Sequence, residues 1–491
     1  MGFEFKELEN EPFVSYINKE YDDVDINDNN GQILSSEITN ERLENTTNLQ
    51  NGKNICKSLI KSTWMTIHLL LAIIPSTVLA MAVIFLSINT TYGCLQWQNH
   101  YNKTLPLSVR RTRVYGDNFQ TMVIFSWFPL TMILLFSWRE FKTKYLSVAY
   151  IAVIFGLLVV IYDQILLEFQ LYNTEMYYRY PRNVVFCVMI VCSASVMVYN
   201  IRSSDNMISY SNVHIMAVIL IEVILCVIIS YIYKYGAIVI FNKVQEPRVK
   251  FFIAASPAVM TLVPALICMQ MALRKSSELV HPDRCFVLVY IIRGGAIFLF
   301  RTMQSDFQRI WLFVGLSLSS SISGFFVKTT RQIRFNFWKR TISKLHSLGY
   351  FLRVRALTWN TAHARRLQAD LEIQDMLFEY STIVLSQAYF TFYHLQSFEI
   401  QTWPLICEFL ERIAIGLAIE FIFNCLSNHV QMYHYNIPIG RVWRRYWKRH
   451  LSANFIFVFV IIAYFSRDFT SVFQSRYRET RNNIRNCTTI F

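Results

Sequence analysis

The chain has 491 residues, 54% hydrophobic and 16% charged, with a formal net charge of +14. Soluble domains carry roughly 25% charge and alternate apolar with polar positions; here the apolar residues come in runs of about 17 to 25, the length of a bilayer-spanning helix at 1.5 Å rise per residue. That excludes a soluble globular fold. The placing of the cations beside helix ends, where anionic headgroups are nearest, speaks against a nucleic-acid binder.

Residues 1–50 hold twelve Asp or Glu and three Lys or Arg. With few apolar anchors and stretches such as Asp22-Asp23-Val24-Asp25, residues 1–55 read as a disordered acidic tail, with a cytosolic partner as its functional alternative. No cleavable signal peptide is expected, and the first apolar run reads as an internal signal-anchor. An all-α, polytopic bundle of about eleven spans follows, at 64–88, 118–138, 145–167, 184–200, 213–233, 251–273, 285–300, 310–327, 380–396, 403–427 and 451–466. The range is nine to eleven, because the seventh, eighth and eleventh are short enough to be re-entrant or wrongly split.

With the N-terminus inside, the inner connections carry 25 Lys and Arg against 17 in the outer ones. The excess lies in two inner segments, 328–379 and 428–450. Three sequons, at Asn89, Asn102 and Asn486, fall outside in the same orientation and are candidate glycosylation sites, Asn89 being close to the membrane. The expected setting is a plasma membrane or endomembrane, the C-terminus non-cytosolic. The ten cysteines make no CxxC pair and no metal framework; most lie in apolar runs as small hydrophobes. Cys94 and Cys487 share the non-cytosolic side and are the one candidate bridge.

From Lys328 to Arg366 there are ten basic residues and no acidic one. Phe335, Trp338, Ile342, Leu345 and Leu348 or Leu352 recur at helical spacing between Arg334, Lys339, Arg340 and Lys344, which predicts an interfacial helix with its rings in the acyl boundary. Asp370, Glu372, Asp375 and Glu379 follow, and the change of sign predicts two cytosolic helices that pair electrostatically. In the second basic segment, Arg444, Arg445, Lys448 and Arg449 interleave with aromatic rings, as in an interfacial belt. Membrane lipids, with anionic headgroups at the cytosolic face, are the expected partners, with a homo-oligomer open.

A charge at mid-membrane costs at least ~2.5–3.5 kcal/mol, so each needs a reason. Glu222 in the fifth span and Arg293 in the seventh lie at similar depth and are expected to pair. The tenth span carries Glu408, Glu411, Arg412 and Glu420; Glu408 and Arg412 share a face at i,i+4, with Glu420 about two turns further. Such a stripe either lines a transport path or reaches the outer interface. Asp163 and Glu168 read as interfacial, and His68 and His394 as structural histidines. Prolines at 75, 129, 257 and 264 add a weaker hint of broken helices.

No HExxH, GxSxG, P-loop or dinucleotide fingerprint occurs, and no cofactor or metal is expected. The sequence thus points to a channel or carrier for ions or small solutes. A receptor or scaffold displaying the acidic tail and basic segments is the rival, and an intramembrane transferase the third reading.

Overall fold

The computed structural model describes residues 55–92, 105–172, 180–204, 210–274, 279–347 and 361–473, with 94, 97–98, 178, 276 and 484–485 besides. The acidic tail, Asn102, Asn486 and Cys487 lie outside the described residues. Regular structure among the described residues is helical, apart from one isolated antiparallel bridge between Phe398 and Ile484.

The helices are α1 (Ile55–Ser87), α2 (Leu107–Phe136), α3 (Trp138–Glu168), α4 (Tyr180–Ser204), α5 (Asn212–Lys243), α6 (Pro247–Arg274), α7 (Val287–Ser305), α8 (Ile310–Thr329), α9 (Arg331–Ser347), α10 (Ala362–Ser397), α11 (Thr402–His434) and α12 (Ile439–Val472). Nine of them, α1 to α8 and α12, are long and apolar enough to cross a membrane. At 36 and 33 residues, α10 and α11 also have the length, but both carry buried charges. The eleventh predicted span is far from short, since α12 runs 34 residues with a kink at Tyr446. The basic stretch contains α9, and the acidic run is the first half of α10, continuous with the predicted ninth span; ion pairs link the two segments at Lys328–Glu372 and Arg366–Asp370.

Burial divides the helices. In α7, 83% of the apolar window is buried inside the protein and in α12 67%, against 22% in α6 and α8 and 28% in α1 and α3. The central helix is α10, buried on nearly every side and packed against α7, α11 and α12, with α8 against α11. Around this group, α2 packs on α12, α3 on α2, α4 on α3, and α5 and α6 on α7. The outward faces of α3 to α6 are aliphatic, with exposed Ile154, Leu158, Val191, Ile228 and Val263, the surface that lipid tails solvate.

Two glycines bring the inner helices close, as small residues do between membrane helices. A Cβ on Gly294 of α7 would lie 3.2 Å from the Phe378 ring of α10, and one on Gly416 of α11 would lie 3.0 Å from Ile383. The break in α6 is self-satisfied: Pro257 has no amide for the Ile253 carbonyl, and the Ser256 hydroxyl donates to it at 2.7 Å. Thr261 and Tyr233 hydroxyls donate to the Pro257 carbonyl at 3.0 Å each. The Ile253 and Pro257 carbonyls at this proline therefore both have donors.

Candidate functional site

Where α7, α8, α10 and α11 meet, ionisable and hydrogen-bonding side chains form one continuous file. The periodicity explains it. On α10, Glu372, Asp375, Glu379 and Gln387 follow helical spacing, as do Arg293, Arg301 and Gln304 on α7, Ser317, Ser321 and Lys328 on α8, and Glu408, Arg412, Glu420, Asn424 and Gln431 on α11. Residues at i, i+3, i+4 and i+7 share a helix face, so each helix turns one polar stripe toward the other three. From Glu408 to Gln431 the file covers about 34 Å of helix at 1.5 Å per residue, comparable with the ~30 Å hydrocarbon thickness of a bilayer.

At the end nearer α9, Lys328 Nζ lies 2.9 Å from Glu372. Next, Arg293 donates to Asp375 Oδ2 at 2.6 Å, and the Tyr290 hydroxyl donates to the Gln374 carbonyl at 2.8 Å. One turn further, Asn424 donates to Glu379 at 3.2 Å and to the Tyr380 hydroxyl at 3.4 Å. Glu420 then accepts from Arg301 and, at 2.9 Å, from the Ser321 hydroxyl. Arg301 also donates to Gln304 Oε1 at 2.9 Å, and Gln304 donates to the Ser317 hydroxyl at 2.6 Å and the Phe313 carbonyl at 2.8 Å.

The far end is closed by Arg412, one of the largest fully buried side chains. Its guanidinium donates to the carbonyls of Ser305 at 3.0 Å and Phe307 at 2.8 Å, and pairs with Glu408 at 2.6 Å. These carbonyls belong to the C-terminal end of α7, where helical acceptors are orphaned and the dipole favours a cation.

The file holds five carboxylates (Glu372, Asp375, Glu379, Glu408, Glu420) and four cations (Arg293, Arg301, Lys328, Arg412). Four anions have a cation within 4.0 Å. Glu379 forms no such pair among the described residues, and Asn424 is its hydrogen-bond donor. Most of the file is buried, yet the Arg293 side chain keeps 30% exposure at the middle of α7, an opening beside the pair it makes with Asp375.

A second polar cluster caps the α9-side end of α7, α10 and α12. The kink at Tyr446 turns its ring toward two guanidiniums, Arg366 at 4.4 Å and Arg449 at 4.3 Å from the ring centroid. Both cations lie within 4.0 Å of Asp283, and Arg366 also donates to Asp370 at 3.1 Å. Gln374 donates to Nδ1 of His450 at 2.9 Å, which leaves the proton on Nε2 to be donated to Asp370 at 3.0 Å. Outside the bundle, burial pushes the His281 imidazole below its ordinary value, more than the nearby Asp283 carboxylate raises it.

Of the residues singled out from sequence, Arg293, Glu408, Arg412 and Glu420 meet in the file. The expected Glu222–Arg293 pair does not form, because Arg293 bonds Asp375. Glu222 is instead buried between α5 and α7 beside the Ile291 backbone, one carboxyl oxygen without a hydrogen-bond partner. Glu411 is exposed and apart. Arg334, Lys339, Arg340 and Lys344 of α9 are exposed, as are Arg444, Arg445 and Lys448 of α12, whereas Arg449 is turned inward to Asp283 rather than toward lipid. Asn89 sits half-buried in a π-helical turn continuing α1. Asp163 is buried and paired with Arg182 at 3.3 Å, near the ends of α3 and α4. His394 is buried in an aromatic cage of Phe390, Tyr393, Phe398 and Phe473, and His68 is exposed against Trp64.

The sequence reading missed Arg301, Lys328, Glu372, Asp375 and Glu379 as parts of one site. The predicted seventh span ends at residue 300, which leaves Arg301 in a loop, and the acidic run reads from sequence as cytosolic. The available signal was the helical spacing of 372, 375, 379 and 387, which runs unbroken into an apolar segment. No protein-family model, no curated protein and no solved structure matches this chain, so the reading of the site rests on its geometry.

Proposed function

We propose that this chain is a membrane transport protein, a channel or carrier for ions or small solutes, whose path follows the file between α7, α8, α10 and α11. One observation carries the reading: nine ionisable side chains lie in a continuous polar file about as long as the bilayer is thick. Charges inside helical bundles are costly, and they accumulate where ions, protons or solutes pass. A static scaffold has no need of such a file, since well-packed apolar residues of similar volume do as well or better for stability. The excess of one carboxylate, together with Glu379 lacking a cation partner, favours cations over anions.

The reading counts α10 and α11 as crossings, eleven in all, with the N-terminus cytosolic and the C-terminus on the other side. The positive-inside excess supports that orientation. So does the disulfide-bonded state of Cys94, which in this topology faces an oxidising compartment; Cys187, Cys226, Cys268 and the other described thiols are free. The exposed cations of α9 then face the cytosolic leaflet, where each is worth ~1 kcal/mol against anionic lipid.

The test is current and tracer flux across liposomes containing the purified protein, with the permeant ion varied and Glu420→Gln measured alongside. Flux whose ion preference changes in the variant supports the path. Absence of flux from well-folded protein under several gradients and voltages defeats it.

A further inference from the structure

Away from the polar file, a cleft of about 120 Å³ opens between α2, α4, α5, α7 and α12. That is room for a short apolar stretch and not for a whole drug-sized molecule, whose sites run to roughly 300–1,000 Å³. The lining is graded, and the same gradation occurs on three separate helices. Asn183 on α4, Ser230 and Tyr231 on α5, and Tyr464 on α12 form a polar rim. About one turn deeper the same helices present Cys187, Cys226 and Ile461, roughly 4 to 6 Å along the axis at 1.5 Å per residue. Because α4 runs opposite to α5 and α12 in the proposed topology, the gradation is a property of depth and not of one helix's sequence.

The rim is neutral. Asn183 Nδ2 donates to the Tyr231 hydroxyl at 3.3 Å, the Tyr464 and Ser230 hydroxyls meet across α5 and α12, and Tyr231 stacks on Tyr235. Beside the cleft, Lys234 pairs with Asp468 at 3.4 Å and Arg182, next to Asn183, pairs with Asp163 at 3.3 Å, while the Glu222 carboxyl lies near Cys226 and the Ile291 backbone. A π-helical turn at Tyr233–Ala237 directly follows the rim, a distortion that recurs at functional sites. At the floor, a side chain added to Gly295 would meet no atom within 4 Å, so the glycine leaves room there. The cleft mouth lies among exposed Val184, Val188, Ile228 and Ile232, the surface that faces lipid.

We propose that this cleft binds a neutral amphiphile from the surrounding leaflet, with a hydroxyl or amide head hydrogen-bonded to Asn183, Ser230, Tyr231 and Tyr464, a short apolar stretch in the pit and the rest of its body along the lipid-facing mouth. Sterols and monoacylglycerols share that chemistry. A phosphate-headed lipid does not fit, because no cation lines the cleft among the described residues. The inference is independent of the transport path, since the cleft and the file share no side chain.

The experiment is photolabelling of the full-length protein in nanodiscs with a diazirine sterol, a diazirine monoacylglycerol and, as control, an anionic diazirine lysophospholipid, with labelled peptides mapped by mass spectrometry. The proposal expects saturable labelling by one or both neutral probes on residues 183–187, 226–231 and 460–465, the stronger probe identifying the source. Gly295→Phe should reduce it about tenfold, equivalent to ~1.4 kcal/mol, and Asn183→Ala less. Should Gly295→Phe fail to fold, alkylation of the free, exposed Cys187 in the native protein replaces it, and excess neutral amphiphile should slow the reaction. Labelling that is unsaturable and spread over α3 to α6, equal labelling by the anionic probe, or unprotected Cys187 would each overturn the site.

Discussion

The inner helices α7, α10 and α11 and the outer helices α3 to α6 obey different rules. On the exposed faces of the outer helices a residue answers only to lipid: exposed Ile154, Val191 or Ile228 meets solvent tails as apolar as itself, and any aliphatic residue serves. On the inner helices each polar group needs a named partner a few ångströms away, because in a low dielectric an unpaired charge costs several kcal/mol. A membrane protein built for stability alone would resemble its outer half throughout. The inner half therefore carries the information about function, and perturbation should separate the two.

The largest effect is expected at the Arg301–Glu420 pair, where both side chains are nearly fully buried. Arg301→Leu leaves Glu420 uncompensated and should cost ~3–5 kcal/mol, read as loss of the monodisperse peak in detergent. The double variant Arg301→Met with Glu420→Met should recover much of it, and a stable Arg301→Leu would break the comparison. Next comes Asp375→Asn, which takes the charge from the partner of Arg293. A loss of ~1.5–3 kcal/mol in thermal unfolding is expected, smaller because Arg293 is partly exposed. Glu222→Gln should cost under ~1 kcal/mol, since no cation loses its partner; a loss as large as that of Asp375→Asn would mean an unseen cation beside Glu222. On the outer surface, Ile228→Leu should stay within ~0.5 kcal/mol.

The smallest effect sharpens the electrostatics at the α9-side cap. The folded state holds His281 below its ordinary value of 6.5, so between the two values the unfolded chain binds more protons. Stability is then fully present above about 6.5 and falls as pH drops through the folded value. Melting curves from pH 8 to pH 5 should show the native protein losing more than His281→Gln does. The reverse order would indicate a raised value and a salt bridge to Asp283.

Much of the outer half was legible in the sequence, because hydropathy is a local property. The predicted spans fall on the observed helices, which run longer since interfacial residues such as Arg182 and Lys243 continue the helix beyond the apolar core. The inner half was only partly legible. Arg293, Arg412 and Glu420 stood out as charges in apolar runs, but their partners did not. Asp375 lies only five residues before the predicted ninth span at 380–396, and a charge-rich stretch reads as cytosolic unless the helix packed around it is known. Choosing Asp375 over Glu222 for Arg293 required knowing that α10, not α5, lies against that face of α7. Helix adjacency in a bundle is set by small contacts such as Gly294 on Phe378, which periodicity does not encode.

The most direct measurement of the central claim is the reactivity of single cysteines toward a charged, membrane-impermeant thiol reagent in a background whose free cysteines are replaced. Positions 321 and 424 sample the middle of the file, and position 228 the lipid surface at similar depth. If the file is the transport path, Ser321→Cys and Asn424→Cys react, and modification blocks flux, while Ile228→Cys remains inert. Inert cysteines at 321 and 424 in protein that still transports would place the path elsewhere and leave the file a structural strut.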